Sequence, residues 1–257
     1  MINNIHKFRE QLAAGRLCLG TGITLNDPAV VEALGPVVDF FWIDMEHNPI
    51  GMETLLGHLM AARAAGSPAL VRVPSSDSPF IKRVLDTGAE GIIVPQVRSA
   101  EEVRQAVAAC RYPPIGCRGF GPRRPSDYGR RSLDQLLREA NEELFVVVQI
   151  ETASAVEELD DIVTVEGLDG LVVGPSDLSA SYGLLGQIEH PTVTEAIKKI
   201  IRVAHEAGMT VGFGDEANAQ SSARWASMGA DWVQSGSDFA YMIQTAQRLF
   251  EDIRAQS

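Results

Sequence analysis

Leu144-Phe145-Val146-Val147-Val148-Gln149-Ile150-Glu151 and, after a helix-length gap, Gly170-Leu171-Val172-Val173-Gly174-Pro175-Ser176-Asp177 decide how this chain folds. Each run is apolar through its middle instead of alternating, as expected of a parallel strand covered on both faces. Each ends in polar, glycine or proline residues that stop the strand and begin a loop. The same design recurs outward at Leu17–Gly22, Val38–Asp44, Ala69–Val73, Gly91–Pro95, Thr210–Gly214 and Asp231–Ser235. Most intervening segments carry helical periodicity, as in Gly51–Ala65, Ala100–Cys110, Thr192–Ala207 and Asp238–Ile253. Eight strand–helix units in a chain of 257 residues predict a (β/α)8 TIM barrel, a single domain over residues 1–257. An open doubly wound sheet competes, but no GxGxxG follows the first strand, where that fold often places its phosphate loop.

A chain of this length buries a core large enough to fold without disulfides or a structural metal. Cys18, Cys110 and Cys117 show no CxxC spacing, which favours a reducing compartment and gives no sign of a zinc site. The formal charge of −12 disfavours nucleic acid and anionic membranes as partners. The first sixteen residues mix charges with Ile5, Phe8 and Leu12 at helical spacing and lack a signal-peptide core. No run reaches membrane-spanning length, so a cytoplasmic location is expected. Arg111 to Arg131 stands apart, with six arginines and a single acid, Asp127. It reads either as a solvated surface loop or as a lid or subunit contact that attracts carboxylates.

Barrel enzymes place their chemistry at the C-terminal ends of the strands. Here the second strand ends in Asp44-Met45-Glu46-His47, the third carries Arg72, the fifth ends in Gln149-Ile150-Glu151, and the sixth runs into Gly174-Pro175-Ser176-Asp177. Glu151 and Asp177 on adjacent strand ends repel unless a cation lies between them, and carboxylate oxygens suit a hard divalent ion. The plainer alternative has Asp177 capping the helix that starts near Leu178 and Glu151 paired with an arginine. His47 follows a strand end and has Asp44 nearby to orient its ring, which suits a general base. His6, His58, His190 and His205 sit in helical, terminal or loop contexts and read as structural. Arg72 inside an apolar run needs a carboxylate side chain or a substrate anion as partner. Gly174-Pro175-Ser176 leads into a helix whose backbone N–H groups suit a substrate carboxylate. No GxSxG elbow is present and no lysine falls on a predicted strand, so Schiff-base chemistry is not expected.

At these residues the sequence resembles the HpcH/HpaI aldolase family of metal-dependent class II pyruvate aldolases. The likeness is carried by Trp42–His47, Val71–Pro74, Arg111–Gly119, Val148–Thr152 and Gly174–Ser179, in this order along nearly the whole chain. The resemblance implies that Glu151 and Asp177 bind Mg²⁺, Mn²⁺ or Co²⁺, and that His47 acts as acid and base with support from Asp44. It further implies that Arg72 stabilises a pyruvate enolate, that Gln149 contacts the bound 2-oxo acid, and that the backbone around Ser176 holds its carboxylate. Members commonly form hexamers with composite sites, and Asp86 matches a position at that interface. Gly119–Arg124 and Gly212–Glu216 depart from the usual family pattern, where an aldehyde or distal carboxylate would rest.

The expected function is therefore reversible, divalent-metal-dependent cleavage of a 4-hydroxy-2-oxo acid into pyruvate and an aldehyde. Examples are 4-hydroxy-2-oxoheptanedioate and 2-dehydro-3-deoxyglucarate. The same enolate chemistry directed to oxaloacetate decarboxylation or to another acceptor is one alternative. A catalytically silent barrel serving binding or assembly is another.

Overall fold

The computed structural model describes residues 4–256. Strands β1 (Cys18–Ile23), β2 (Phe40–Asp44), β3 (Ala69–Arg72), β4 (Gly91–Val94), β5 (Phe145–Ile150), β6 (Gly170–Val173), β7 (Thr210–Asp215) and β8 (Trp232–Ser237) close into a parallel barrel in sequence order. The closing pair is β1 with β8, through Cys18↔Trp232 and Leu19↔Val233. The expected (β/α)8 architecture is thus the observed one, with boundaries displaced by a residue or two. Val38 and Asp39 fall outside β2 because a 3₁₀ turn at Gly35–Val37 delivers the chain to it.

Helix α1 (Ile5–Ala13) precedes the barrel. Around the strands run α2 (Pro28–Leu34), α3 (Met52–Ala65), α4 (Ser78–Asp86), α5 (Ala100–Cys110), α6 (Leu133–Arg138), α7 (Ala153–Glu157), α8 (Leu159–Ile162), α9 (Pro175–Ser181), α10 (Pro191–Glu206), α11 (Ala219–Met228) and α12 (Asp238–Ala255). Their starts follow local chemistry. Ser99, Thr152 and Asn218 accept hydrogen bonds from backbone N–H groups in the first turns of α5, α7 and α11.

Because side chains alternate across a strand, each strand serves two cores. Phe41, Ile43, Val71, Ile92, Val146, Val148, Leu171 and Val173 face outward and pack with the helices. Phe40, Trp42, Leu70, Ile93, Phe145, Val147, Val172 and Trp232 form a separate inner cluster together with Ile5 and Phe8 of α1. Helix α1 therefore plugs the N-terminal mouth of the barrel. The Phe8 ring lies 5.1 Å from Phe40, 5.5 Å from Phe145 and 6.0 Å from Trp232, with edge-to-face or tilted geometry. Two glycines make room for this floor. A Cβ on Gly20 would lie 2.5 Å from Phe40, and one on Gly212 would lie 2.1 Å from Trp232.

Four of the six arginines in the Arg111–Arg131 segment turn inward, while Arg130 stays exposed beside Asp127. Arg111 is buried and donates to the carbonyls of Ala140, Leu144 and Gly167. Arg118 pairs with Asp86 at 2.8 Å and lies over the Tyr112 ring. Arg124 is buried against the carbonyls of Leu59, Thr87 and Gly88, and Arg131 pairs with Glu139. These guanidiniums point inward as pins that hold the loop to the barrel wall, because backbone carbonyls at strand and helix ends need donors.

Glu90, just before β4, accepts from the backbone N–H groups of Asn4 and Ile5 and so ties down the start of α1. Burial pushes its carboxyl up to about 7, against the pull of those N–H groups and of Arg124 and Arg63. The folded protein therefore holds this proton more tightly than the unfolded chain, and stability falls as pH rises from the ordinary carboxyl range to about 7. Glu90→Gln should remove most of that fall, worth about 3 kcal/mol at most. Urea unfolding should show the variant gaining on the parent protein between pH 5 and pH 8. Phe8→Ala, which empties the centre of the plug, should cost about 3–5 kcal/mol by the same measurement.

Candidate active site

The inward parity that builds the apolar floor continues to the opposite rim, where it delivers polar groups. On β2 the series Phe40, Trp42 ends in Asp44. On β3 Leu70 is followed by Arg72, and on β5 Phe145 and Val147 are followed by Gln149 and then Glu151. Parallel pairing sets Asp44 directly beside Arg72. These strand ends open into a pocket of about 430 Å³ whose wall includes Trp42, His47, Arg72, Gln149, Ser176 and Asp177.

Arg72 organises the cluster. Its Nε donates to Asp44 Oδ1 at 2.9 Å, one Nη lies 3.0 Å from Glu46 Oε2, and the same nitrogen reaches Gln149 Oε1 at 3.4 Å. The guanidinium also lies 5.3 Å from the centre of the Trp42 ring. Asp44 further accepts from Glu46 N at 3.1 Å and from Asn48 Nδ2 at 2.6 Å. Burial works to raise the Asp44 carboxyl, but Arg72 and the backbone N–H groups of Glu46 and His47 outweigh it and hold the group below its ordinary range. Burial wins at Glu46, with Asp44 and Asp177 adding to the rise and Arg72 and His47 opposing it.

Glu151 lies just behind the pocket wall, 1% exposed. Its Oε1 accepts from Gln96 N at 2.7 Å and its Oε2 from Gln149 Nε2 at 2.5 Å. Burial pushes this carboxyl up to about 7, and the negative charges of Glu46 and Asp177 push the same way. Glu151 makes no ion pair with an arginine among the described residues. Asp177 sits in the first turn of α9 but makes no capping hydrogen bond, and the N-cap position is Gly174. The plainer reading of both carboxylates is thus not realised. Gly174 is where the backbone comes closest, since a Cβ there would lie 2.7 Å from Gln149 Nε2 and 2.8 Å from Glu151 Oε2.

His47 reaches the pocket with its side chain 62% exposed. Its nearest carboxylate is Glu46, with Nε2 3.6 Å from Oε2, whereas Asp44 is occupied by Arg72, Asn48 and backbone. The expected Asp44–His47 orientation is therefore absent, and Glu46 stands in that position. Sequence reasoning gave Glu46 no role, although it sits in the same four-residue strand ending. Asp86 lies outside the pocket at the end of α4, paired with Arg118. His58, His190 and His205 are structural. His58 is buried on the carbonyl of Leu25, His190 caps α10, and His205 pairs with Asp231. Asp215 and Glu216, from the segment expected near an aldehyde or distal carboxylate, do line the pocket, and Trp42, Ser221 and Gln234, to which the sequence alone assigns no role, complete it from β2, α11 and β8.

Residues 23–245 match the model of the family described as HpcH/HpaI aldolase/citrate lyase. The chain is 39% identical over 247 residues to the 4-hydroxy-2-oxo-heptane-1,7-dioate aldolase of Shigella flexneri, covering 95% of this chain and 91% of that protein. It is 37% identical over 249 residues to the 5-keto-4-deoxy-D-glucarate aldolase of Klebsiella pneumoniae, covering 95% of each. Among solved structures, an HpcH/HpaI aldolase/citrate lyase family protein from Burkholderia cenocepacia J2315 superposes with a TM-score of 0.90. It is 30% identical, over 98% of this chain and 99% of that one. Matched in sequence, in fold and over nearly its whole length, the chain belongs to the HpcH/HpaI aldolase/citrate lyase family.

Proposed function

We propose that this protein is a divalent-metal-dependent aldol lyase that reversibly cleaves a 4-hydroxy-2-oxo acid into pyruvate, or a close 2-oxo acid, and an aldehyde. Kinship with enzymes named as aldolases supports aldol cleavage over decarboxylation or a silent barrel. The observation that carries the reading is the charge balance of the pocket. Glu46, Glu151 and Asp177 act on one another, while Arg72 is the one guanidinium or ammonium on the wall among the described residues.

The residues fit a hard divalent cation such as Mg²⁺, Mn²⁺ or Co²⁺. A buried carboxylate at Glu151, held by Gln96 N and Gln149 Nε2, sits within electrostatic reach of Asp177. No group of three or more His, Cys, Asp or Glu side chains converges on a metal position among the described residues. The protein's share is therefore two carboxylates, with the remaining positions left to water and to the substrate carboxylate and ketone. Bound there, the ion would polarise the 2-ketone.

The protein groups supply the rest. His47, exposed to the pocket, takes the proton from the 4-hydroxyl as the C3–C4 bond breaks. The electrons of that bond pass to the pyruvate oxygen, where Arg72, already fixed by Asp44 and Glu46, offers its positive charge. Gln149 positions the 2-oxo acid, and the backbone at Ser176 receives its carboxylate. Reprotonation at C3 releases pyruvate.

The reading includes a homo-oligomer, expected as a hexamer. Phe239, Met242, Ile243, Leu249, Phe250 and Ile253 of α12 are each about half exposed, and Asp238 is the only buried residue of that helix. Leu19 on the outer face of β1 is 46% exposed. Adjoining apolar faces of this kind are what a second copy covers. Phe250→Glu with Ile253→Glu should shift the mass measured by light scattering toward the monomer.

Protein stripped with EDTA should release no pyruvate from a 4-hydroxy-2-oxo diacid, and Mg²⁺ or Mn²⁺ should restore release. Glu151→Ala or Asp177→Ala should abolish the restored activity, and full turnover by either in metal-free buffer would refute the metal assignment. Gly174→Ala should lower kcat/KM roughly a hundredfold by displacing Gln149 and Glu151. Its fold should survive, as checked by circular dichroism.

A further inference from the structure

Beyond α9 the chain turns back and returns to the pocket. The lining that begins with Gly174, Pro175, Ser176 and Asp177 is taken up again by Gly186 and Ile188, so one short stretch of chain supplies two parts of the wall. The returning segment, residues 182–190, has no regular structure to hold it. It turns at Gly183 and Gly186, whose φ values of 73° and 80° lie in the left-handed region open to glycine. Most of its backbone bonds are local. Gly183 N donates to the carbonyl of Ala180, Leu184 N to Ser179, Gln187 N to Leu184 and His190 N to Gln187. Leu184 and Ile188 lean on the outer core, while Leu185 is 74% exposed. Glu189 pairs with Arg224 at the surface, where such contacts contribute little.

A buried side chain joins this segment to the first turn of α9. Ser179 is fully buried, and its Oγ donates to the carbonyl oxygen of Ser176 at 2.7 Å and accepts from Gly186 N at 3.1 Å. The hydroxyl thus works as donor and acceptor at once. A serine bonded three residues back to a helix carbonyl is a common local contact. Here the same oxygen also takes an N–H from seven residues ahead, and so links Ser176 on one part of the wall to Gly186 on the other. All three residues belong to one chain, so the link does not depend on any assembly.

Resting on the aldolase reading above, we propose that Ser179 is a positioning residue, whose hydroxyl holds Gly186 and Ile188 against the turn of Ser176 and Asp177 and so sets the width of the pocket for the 2-oxo acid. Ser179 touches no substrate and acts through the wall it fixes. Gly186 is exposed, so without the hydroxyl its N–H turns to water. The loss then falls on the place of the loop and leaves the fold standing. His47 and Arg72 are carried by β2 and β3 and keep their positions. Substrate affinity therefore falls, while the rate of the bound complex is kept.

The test uses the metal-loaded full-length protein, with pyruvate binding measured by calorimetry and exchange of pyruvate methyl protons in D₂O followed by NMR. Exchange needs enolate formation but no aldehyde. Ser179→Ala should raise the pyruvate Kd and the KM for exchange roughly tenfold, the worth of one hydrogen bond, with kcat within about twofold of the parent protein. Gly186→Ala keeps the N–H but puts a side chain on left-handed backbone, with nothing within 4 Å of the added Cβ. It should displace the same loop and raise KM in the same way. The double variant should bind no more weakly than Ser179→Ala alone, since both act through one contact. Leu185→Ala, in the same segment but directed to solvent, should match the parent protein. Unchanged Kd and KM in Ser179→Ala, a fall in kcat alone, or additive losses in the double variant would overturn the positioning role and leave the aldolase reading standing. Should Ser179→Ala not fold, Gly186→Ala decides, and a KM like that of the parent protein would overturn the role. A parent protein that neither binds pyruvate nor exchanges its protons would overturn the aldolase reading, and this proposal with it.

Discussion

The guanidinium of Arg72 is the group on which the upper half of the barrel depends. It is nearly buried at the end of β3 and is shared among Asp44, Glu46 and Gln149 from two other strand endings. A charge in such a place is tolerated because its partners are equally buried and equally in need of it. Removing it would leave two carboxylates facing Glu151 and Asp177 with no protein cation between them, a loss of about 3–5 kcal/mol for a broken buried pair. The hydrogen-bond ladder makes the arrangement possible, because parallel pairing of β2 with β3 sets Asp44 beside Arg72 without help from any loop.

The barrel turns one structural rule into a division of labour. Side chains of one parity face the axis, so the same column that supplies Phe40 and Trp42 to the floor supplies Asp44 to the rim. The floor is made rigid by α1, whose Phe8 touches aromatic rings from β2, β5 and β8. Glycines on neighbouring strands accept the bulk of Phe40 and Trp232. Rigidity below is what lets carboxylates above stay close together despite their mutual repulsion. A loose barrel would relax by letting them separate.

Much of this was legible in the chain. Unalternating apolar runs closed by Gly, Pro or acids marked all eight strands, because strands buried on both faces have no polar side to show. The convergence of Asp44, His47, Arg72, Gln149, Glu151 and Asp177 on one rim followed from their places at strand ends. The partner of His47 was not legible. Asp44 is nearer the strand and looked like the natural support, yet its lone pairs are consumed by Arg72, Asn48 and backbone N–H groups, which leaves Glu46 closest to the imidazole. The inward turn of most arginines between Arg111 and Arg131 was not legible either. Composition counts charges, but only the path of the chain shows that Arg111, Arg118 and Arg124 turn inward to carbonyls and to Asp86.

The sequence by itself determined the periodicities, and through them the strand and helix order, the parallel closure and the set of polar residues at the strand ends. These follow from local rules, since apolar pattern, capping residue and turn glycine act within a few residues of one another. Tertiary structure alone decided which acceptor each donor finds, why α1 enters the barrel mouth, and why Asp215 and Gln234 join the pocket wall. Those outcomes depend on donors competing for acceptors far away in sequence, as when Asn4 N–H finds Glu90 and Arg72 finds Gln149. That competition is settled only when the closed barrel fixes who is within 3 Å of whom.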